Sequence, residues 1–171
     1  MEETLNKKAK MELGFDRKEA KGIVEKLDIL LCTYQVFFHK LQNYHWNVVG
    51  GEFFDLHDVT QEMYEKGLVN IDEIAERIRV FGSVPQYKMQ EYVNKSCIEE
   101  TTHELSSDEM TLNLIDDFVC LISCMVEASE FSHKNGDLGS VFMMNKMIKE
   151  FETNHWKLSS WINKKYDTNN K

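Results

Sequence analysis

The chain has 171 residues, 42% of them hydrophobic, with a single proline, Pro85, and a formal net charge of −9. That length suits one well-cored domain rather than two, and scarce proline with abundant Lys, Glu, Leu and Met favours an all-α fold. The acid excess argues against a general binder of DNA or of anionic membranes, and no apolar run reaches the ~18 residues that a spanning helix needs.

Residues 1–19 read as an N-terminal tail, and its opening, MEETLNKKAK, lacks the apolar core of a signal peptide, so the chain is expected in the cytoplasm. Four long segments then show helical periodicity. The first, about 20–48, lines up Ile23, Leu27, Leu30, Tyr34, Phe37 and Leu41 and stops at Gly50–Gly51. The second, about 56–82, carries Leu56, Val59, Met63, Ile74 and Ile78, with Asp55 as its expected N-cap and Gly82 as its stop. A long link, about 83–106, contains VPQYKMQEYVNKSCIEE, which has room for a short helix. The third, about 107–134, opens on a capping-box pattern, Ser106 with Glu109, ahead of Leu114, Phe118, Leu121 and Met125. KNGDLGS breaks the chain at Gly136, and the fourth runs about 138–165 before a short tail, 166–171. Two tight connections and one long crossover are the connectivity of a ferritin-like four-helix bundle, here expected over 20–165. The apolar stripes read as core rather than as a cofactor box.

The polar residues that could take a metal fall into sets that helix geometry separates. Glu130–His133 and Glu152–His155 have the Glu-x-x-His spacing of bundle-core metal sites, but one pair lies near the Gly136 turn and the other far along the next helix. At 1.5 Å per residue the two pairs differ in height by about 20 Å. His155 therefore reads as a core histidine and His133 as a helix C-terminal one, while His39 and His103 read as surface residues. Among the four cysteines, Cys120 and Cys124 are one helical turn apart, a spacing that can suit a metal; the reading preferred for all four, Cys32 and Cys97 included, is that of small core residues in a reduced compartment.

The remaining set lies in YHWNVVGGEFFDLHDVTQEMYEKGLVNIDEIAER, residues 44–77. His45 and His57 flank one tight turn and can approach each other. Asp72 and Glu76, one helical turn apart, share a face and can chelate together. Yet His57 and Asp72 lie on one rigid helix, about 22 Å apart by rise. A single chain cannot bring all four to one metal ion, whereas two chains packed antiparallel along this helix can, giving two identical sites about a twofold axis. The competing reading makes Asp72 and Glu76 a solvated face paired with Arg77 and Arg79.

The same residues carry a resemblance. NYHWNVVGGEFFDLH followed by IDEIAERI, with EYVNKSCIEE in the crossover and HWKLSSWI near the end, resembles the signature of the Dps-type miniferritins, the DNA-protection-during-starvation family, over about residues 20–165. The resemblance implies a ferroxidase centre between twofold-related subunits, with His45, His57, Asp72 and Glu76 as iron ligands and Trp46 packed beside the site. It implies a homo-oligomer, a hollow dodecamer built from twofold dimers. It also implies oxidation of Fe(II) by hydrogen peroxide or oxygen, with storage of ferric mineral that protects the cell from oxidative stress. One position departs from the family pattern: an acid is usual one turn after the second histidine, and here Gln61 stands there, which predicts weaker or more asymmetric iron binding.

The resemblance does not carry DNA binding to this chain. Residues 1–22 set Lys7, Lys8, Lys10, Arg17, Lys18 and Lys21 against Glu2, Glu3, Glu12, Asp16 and Glu19, leaving almost no net charge, and only NKKYDTNNK at the other end is mildly basic. The alternatives to a ferroxidase are a miniferritin-like shell with weakened iron chemistry that acts in interactions or beside DNA, and a metal module with its site inside one chain at Glu130, His133, Glu152 and His155.

Overall fold

A computed structural model describes residues 14–101 and 104–169. Among the described residues are five helices: α1, Arg17–Asn47; α2, Phe53–Val80; α3, Met89–Lys95; α4, Ser107–Lys134; and α5, Leu138–Asn169. The four long ones form the expected all-α, ferritin-like bundle, and α3 is the short helix of the long crossover. No strand occurs among the described residues, and no helix there is long and apolar enough to cross a membrane. His103 and the first thirteen residues, most of the expected tail, lie outside the described residues.

Local chemistry sets the helix ends. α1 starts earlier than its apolar stripe, because the Asp16 carboxylate accepts from the Lys18 amide at 2.8 Å while Glu19 reaches back to the Asp16 amide. This capping box stabilises the first turn by about 1 kcal/mol. The expected box at α4 is present: Glu109 accepts from the Ser106 amide at 2.8 Å, and the Ser106 hydroxyl accepts from the Glu109 amide at 3.3 Å. Asp55 is not the N-cap of α2. The cap position is Glu52, and Asp55 sits within the first turn, where its charge favours the helix dipole instead of capping an amide. Gly82 and Gly136 end α2 and the α4–α5 turn with φ of +75° and +76°, values that a side chain would strain. α5 continues past the expected boundary at 165 to Asn169.

The α1–α2 and α4–α5 pairs are joined by short turns, and α1 packs on α4 to close the bundle. Tyr34, Phe37, Phe118 and Phe151 meet at its centre, with contacting ring centroids 5.3–6.1 Å apart in tilted or edge-on arrangements. Burying each such ring contributes roughly 1.5–3 kcal/mol. Gly67 lets α2 approach this core closely, since a Cβ there would lie 3.2 Å from the Tyr34 ring.

One polar lock fixes the end of α2 that carries the acid pair. The Arg77 guanidinium binds the carboxylate of Asp137, which is 1% exposed, and its Nε donates to the Ser140 hydroxyl at 3.0 Å. Asp137 in turn accepts from the Ser140 amide at 3.0 Å and so caps α5. Arg77 therefore faces the bundle. Glu76, about 100° away around the helix, faces outward.

Candidate metal centre

The two histidines of the motif meet across the α1–α2 turn. The His45 Nδ1 lies 2.8 Å from the carbonyl oxygen of His57, and the His57 Nδ1 lies 2.8 Å from the carbonyl oxygen of His45. A carbonyl can only accept, so each Nδ1 carries the proton and donates it. In its neutral form each ring is thereby held in the Nδ1–H tautomer, which leaves the Nε2 lone pair to bind metal. The rings stack at 3.7 Å between centroids and 22° between planes. Phe53 stacks on the outer side of His57 at 4.9 Å, and Tyr64 sets its edge to His45 at 5.3 Å. His45 is buried and His57 half-buried, so the pair is both rigid and partly shielded.

Asp72 and Glu76 are exposed, and among the described residues neither carboxylate has a hydrogen-bond or ion-pair partner. The pairing with arginines is overturned: Arg77 is taken by Asp137, and Arg79 donates to the Ser83 carbonyl at 2.9 Å. Two unneutralised carboxylates one turn apart repel each other and attract a cation.

Gln61 occupies the turn after His57. Its amide nitrogen donates to Glu65 at 2.7 Å, which leaves its carbonyl oxygen as the uncommitted atom. Spacing places His57, Gln61, Glu65, Leu68, Asp72 and Glu76 on one stripe of α2. Leu68 is 60% exposed on that stripe, and Trp46, the neighbour of His45 on α1, is 68% exposed.

The single chain brings His45 and His57 together and leaves Asp72 about 22 Å and Glu76 about 28 Å along α2. Glu130, His133, Glu152 and His155 do not converge, and His155 is half-buried with Glu152 exposed beside it, so it is not the core histidine that its stripe suggested. His133 lies in the last turn of α4 as expected, and His39 is exposed. The cluster that sequence reasoning missed is one of thiols, Cys97, Cys120 and Cys124. Only Cys32 is a buried core cysteine; Cys97 is exposed and the other two are half-buried.

The fold and this histidine–carboxylate helix define a ferritin-like protein, and a ferritin-like domain family matches residues 24–165. The DNA protection during starvation protein of Porphyromonas gingivalis is 32% identical over 152 residues, covering 88% of this chain and 95% of that protein. DNA protection during starvation protein 2 of Bacillus anthracis is 30% identical over 143 residues, with 84% and 98% covered. The crystal structure of a Dps protein from Vibrio cholerae O1, described as a member of a broad superfamily of ferritin-like diiron-carboxylate proteins, superposes with a TM-score of 0.87 at 32% identity, covering 90% of this chain and 97% of that one. The chain belongs to the ferritin-like family and, within it, to the Dps-type miniferritins.

Proposed function

We propose that the protein is a ferroxidase and iron store whose catalytic centres form between two copies of the chain. Membership of the miniferritins supports iron storage and stress protection in general terms. The observation that carries the finer reading is the stripe on α2. It bears a locked histidine pair at one end and an unpartnered acid pair at the other, too far apart to meet within one chain. Antiparallel pairing of two α2 helices sets His45 and His57 of one chain opposite Asp72 and Glu76 of its partner. A twofold axis then generates two sites per dimer.

The donors fit Fe(II) as substrate. Two neutral imidazoles and two carboxylates are the borderline and hard ligands that iron takes, and the carboxylates offset the added charge. Gln61 offers a neutral oxygen in place of a third acid, so of two irons one is held more weakly. Each Fe(II) gives up one electron. Hydrogen peroxide accepts two, its O–O bond breaks, and two protons complete two waters, so no hydroxyl radical is released. Oxygen is the alternative oxidant. The ferric product passes into the hollow of a dodecamer assembled from these dimers, where excess acids favour mineral growth. Trp46, exposed on the single chain, is covered beside the site in the dimer.

The test is anaerobic loading of Fe(II) followed by a peroxide pulse, read by ferric absorbance. The wild type should oxidise two Fe(II) per peroxide, and His57→Ala should not. If His57→Ala oxidises iron at the wild-type rate, the reading fails. Gln61 favours one second reading, a miniferritin shell with weakened iron chemistry serving interactions, and a wild type that does not oxidise iron at all would select it.

A further inference from the structure

The described residues contain one cluster of metal-ligating side chains, and it is remote from the histidines. The Sγ atoms of Cys97, Cys120 and Cys124 all lie within 4.8 Å of one another. We propose that these three cysteines form a second metal site, a thiolate tripod for a thiophilic d10 cation, Cu(I) or Zn(II).

The cluster has the marks of a built site. Cys120 and Cys124 stand one turn apart on α4 and present their sulfurs from the same face. Cys97 comes from the crossover, and its peptide is pinned on both sides. Its amide donates to the hydroxyl of the fully buried Thr33 at 3.1 Å, and its carbonyl accepts from the Cys120 thiol at 3.4 Å. Ile98, buried in the core, anchors the next residue. Metal–sulfur bonds of about 2.3 Å in tetrahedral geometry place sulfurs roughly 3.8 Å apart. Rotamer adjustment of about 1 Å therefore closes the tripod without backbone movement.

The two α4 thiols are perturbed in the direction that a cation relieves. Burial, then the Cys97 and Cys120 sulfurs beside it, push the Cys124 thiol up to about 12, and burial raises Cys120 as well. Three crowded sulfurs cannot all ionise alone, whereas a bound cation displaces the thiol protons and offsets part of the thiolate charge, more of it for Zn(II) than for Cu(I). The Lys26–Glu127 ion pair, 2.8 Å long, stands at the rim, with the ammonium within electrostatic reach of Cys97 and Cys124.

Ligand softness separates this site from the iron centre. Sulfur selects Cu(I) and Zn(II), while imidazole with carboxylate suits iron. Thr33, which accepts from the Cys97 amide, marks the thiol cluster and His45 the histidine pair, with about 18 Å of α1 between them. Three sulfurs alone satisfy trigonal Cu(I), and Zn(II) needs a fourth ligand, for which the exposed rim offers water.

The experiment uses the reduced, assembled full-length protein without oxygen. Co(II) serves as the optical stand-in for Zn(II), and Cu(I) is delivered from a chromophoric chelator. The expected result is a sulfur-to-cobalt charge-transfer band, or Cu(I) withdrawn from the chelator, at one metal per chain. Cys97→Ser, and the pair Cys120→Ser with Cys124→Ser, should weaken binding on the order of a hundredfold or more. Cys32→Ser and His57→Ala should leave it unchanged, which separates this site from the iron centre. Retention of Cu(I) without cobalt assigns the trigonal cation, and a cobalt band assigns the tetrahedral one. The proposal is overturned if neither metal binds through sulfur, if binding survives Cys97→Ser, or if mass analysis finds a disulfide among the three in freshly isolated protein and no metal uptake after reduction.

Discussion

His45 and His57 hold each other through main-chain atoms: each ring donates its Nδ1 proton to the other residue's carbonyl at 2.8 Å. The acceptors survive replacement of either side chain. His57→Ala should therefore keep the fold, with a stability loss of about 1–2 kcal/mol from one hydrogen bond and one ring contact. It should nonetheless lose iron binding. Denaturant unfolding alongside an anaerobic Fe(II) titration checks both, and a variant that unfolds outright would make the pair structural rather than metal-binding.

Gln61→Glu tests the weak position. In the apo protein the change replaces a hydrogen bond to Glu65 with two like charges one turn apart, costing a few tenths of a kcal/mol. With Fe(II) present, the added carboxylate should tighten the weaker iron by about tenfold, the effect of a full charge at a partly shielded site. Stability should fall without iron and rise with it. An iron affinity and oxidation rate equal to the wild type would place Gln61 outside the site.

Leu68 tests the geometry without touching a ligand. If His57 meets the Asp72–Glu76 turn of its partner, the twofold axis crosses α2 midway between them, at Glu65 and Lys66, less than one turn from Leu68, which is 60% exposed. Leu68→Asp places two like charges across that axis and should split the dimers, detected by sedimentation, while helicity is retained. Iron oxidation should fall with assembly. A Leu68→Asp protein that is monomeric and fully active would place the site inside one chain.

Arg77 tests how the acid pair is held. Arg77→Met strands the buried Asp137 carboxylate, whose Oδ2 already lacks a hydrogen-bond partner among the described residues. The loss should be about 2–4 kcal/mol, reduced from the fully buried case because the Arg77 side chain is partly exposed. Arg77→Met with Asp137→Asn should recover part of it. Equal losses in the single and double variants would show that the charge pair is not the cause.

Much of this was legible in the sequence because the signals are local. The apolar stripes, the Ser106–Glu109 box and the glycine stops located the helices, and rise per residue alone showed that His57 and Asp72 cannot meet within one chain. The start of α1 was missed because its Asp16 cap precedes a charged turn with no apolar signal. The pairing of Asp72 and Glu76 with the arginines failed because Arg77 finds its partner on α5, far along the chain. The thiol cluster was invisible for the same reason: the α4 spacing supplied two sulfurs, and only the packing of the crossover against Thr33 supplies the third.

The central claim, that the iron site is shared between chains, is tested most directly by co-assembly. His57→Ala and Asp72→Ala chains, each of which should be inactive alone, are mixed in equal amounts, unfolded, reassembled and assayed for peroxide-driven iron oxidation. In a mixed dimer one of the two sites combines an intact histidine pair with an intact acid pair, so random pairing should restore about a quarter of wild-type activity. Recovery near that level establishes the shared centre. Mixed assemblies that form fully yet stay as inactive as either parent would contradict it.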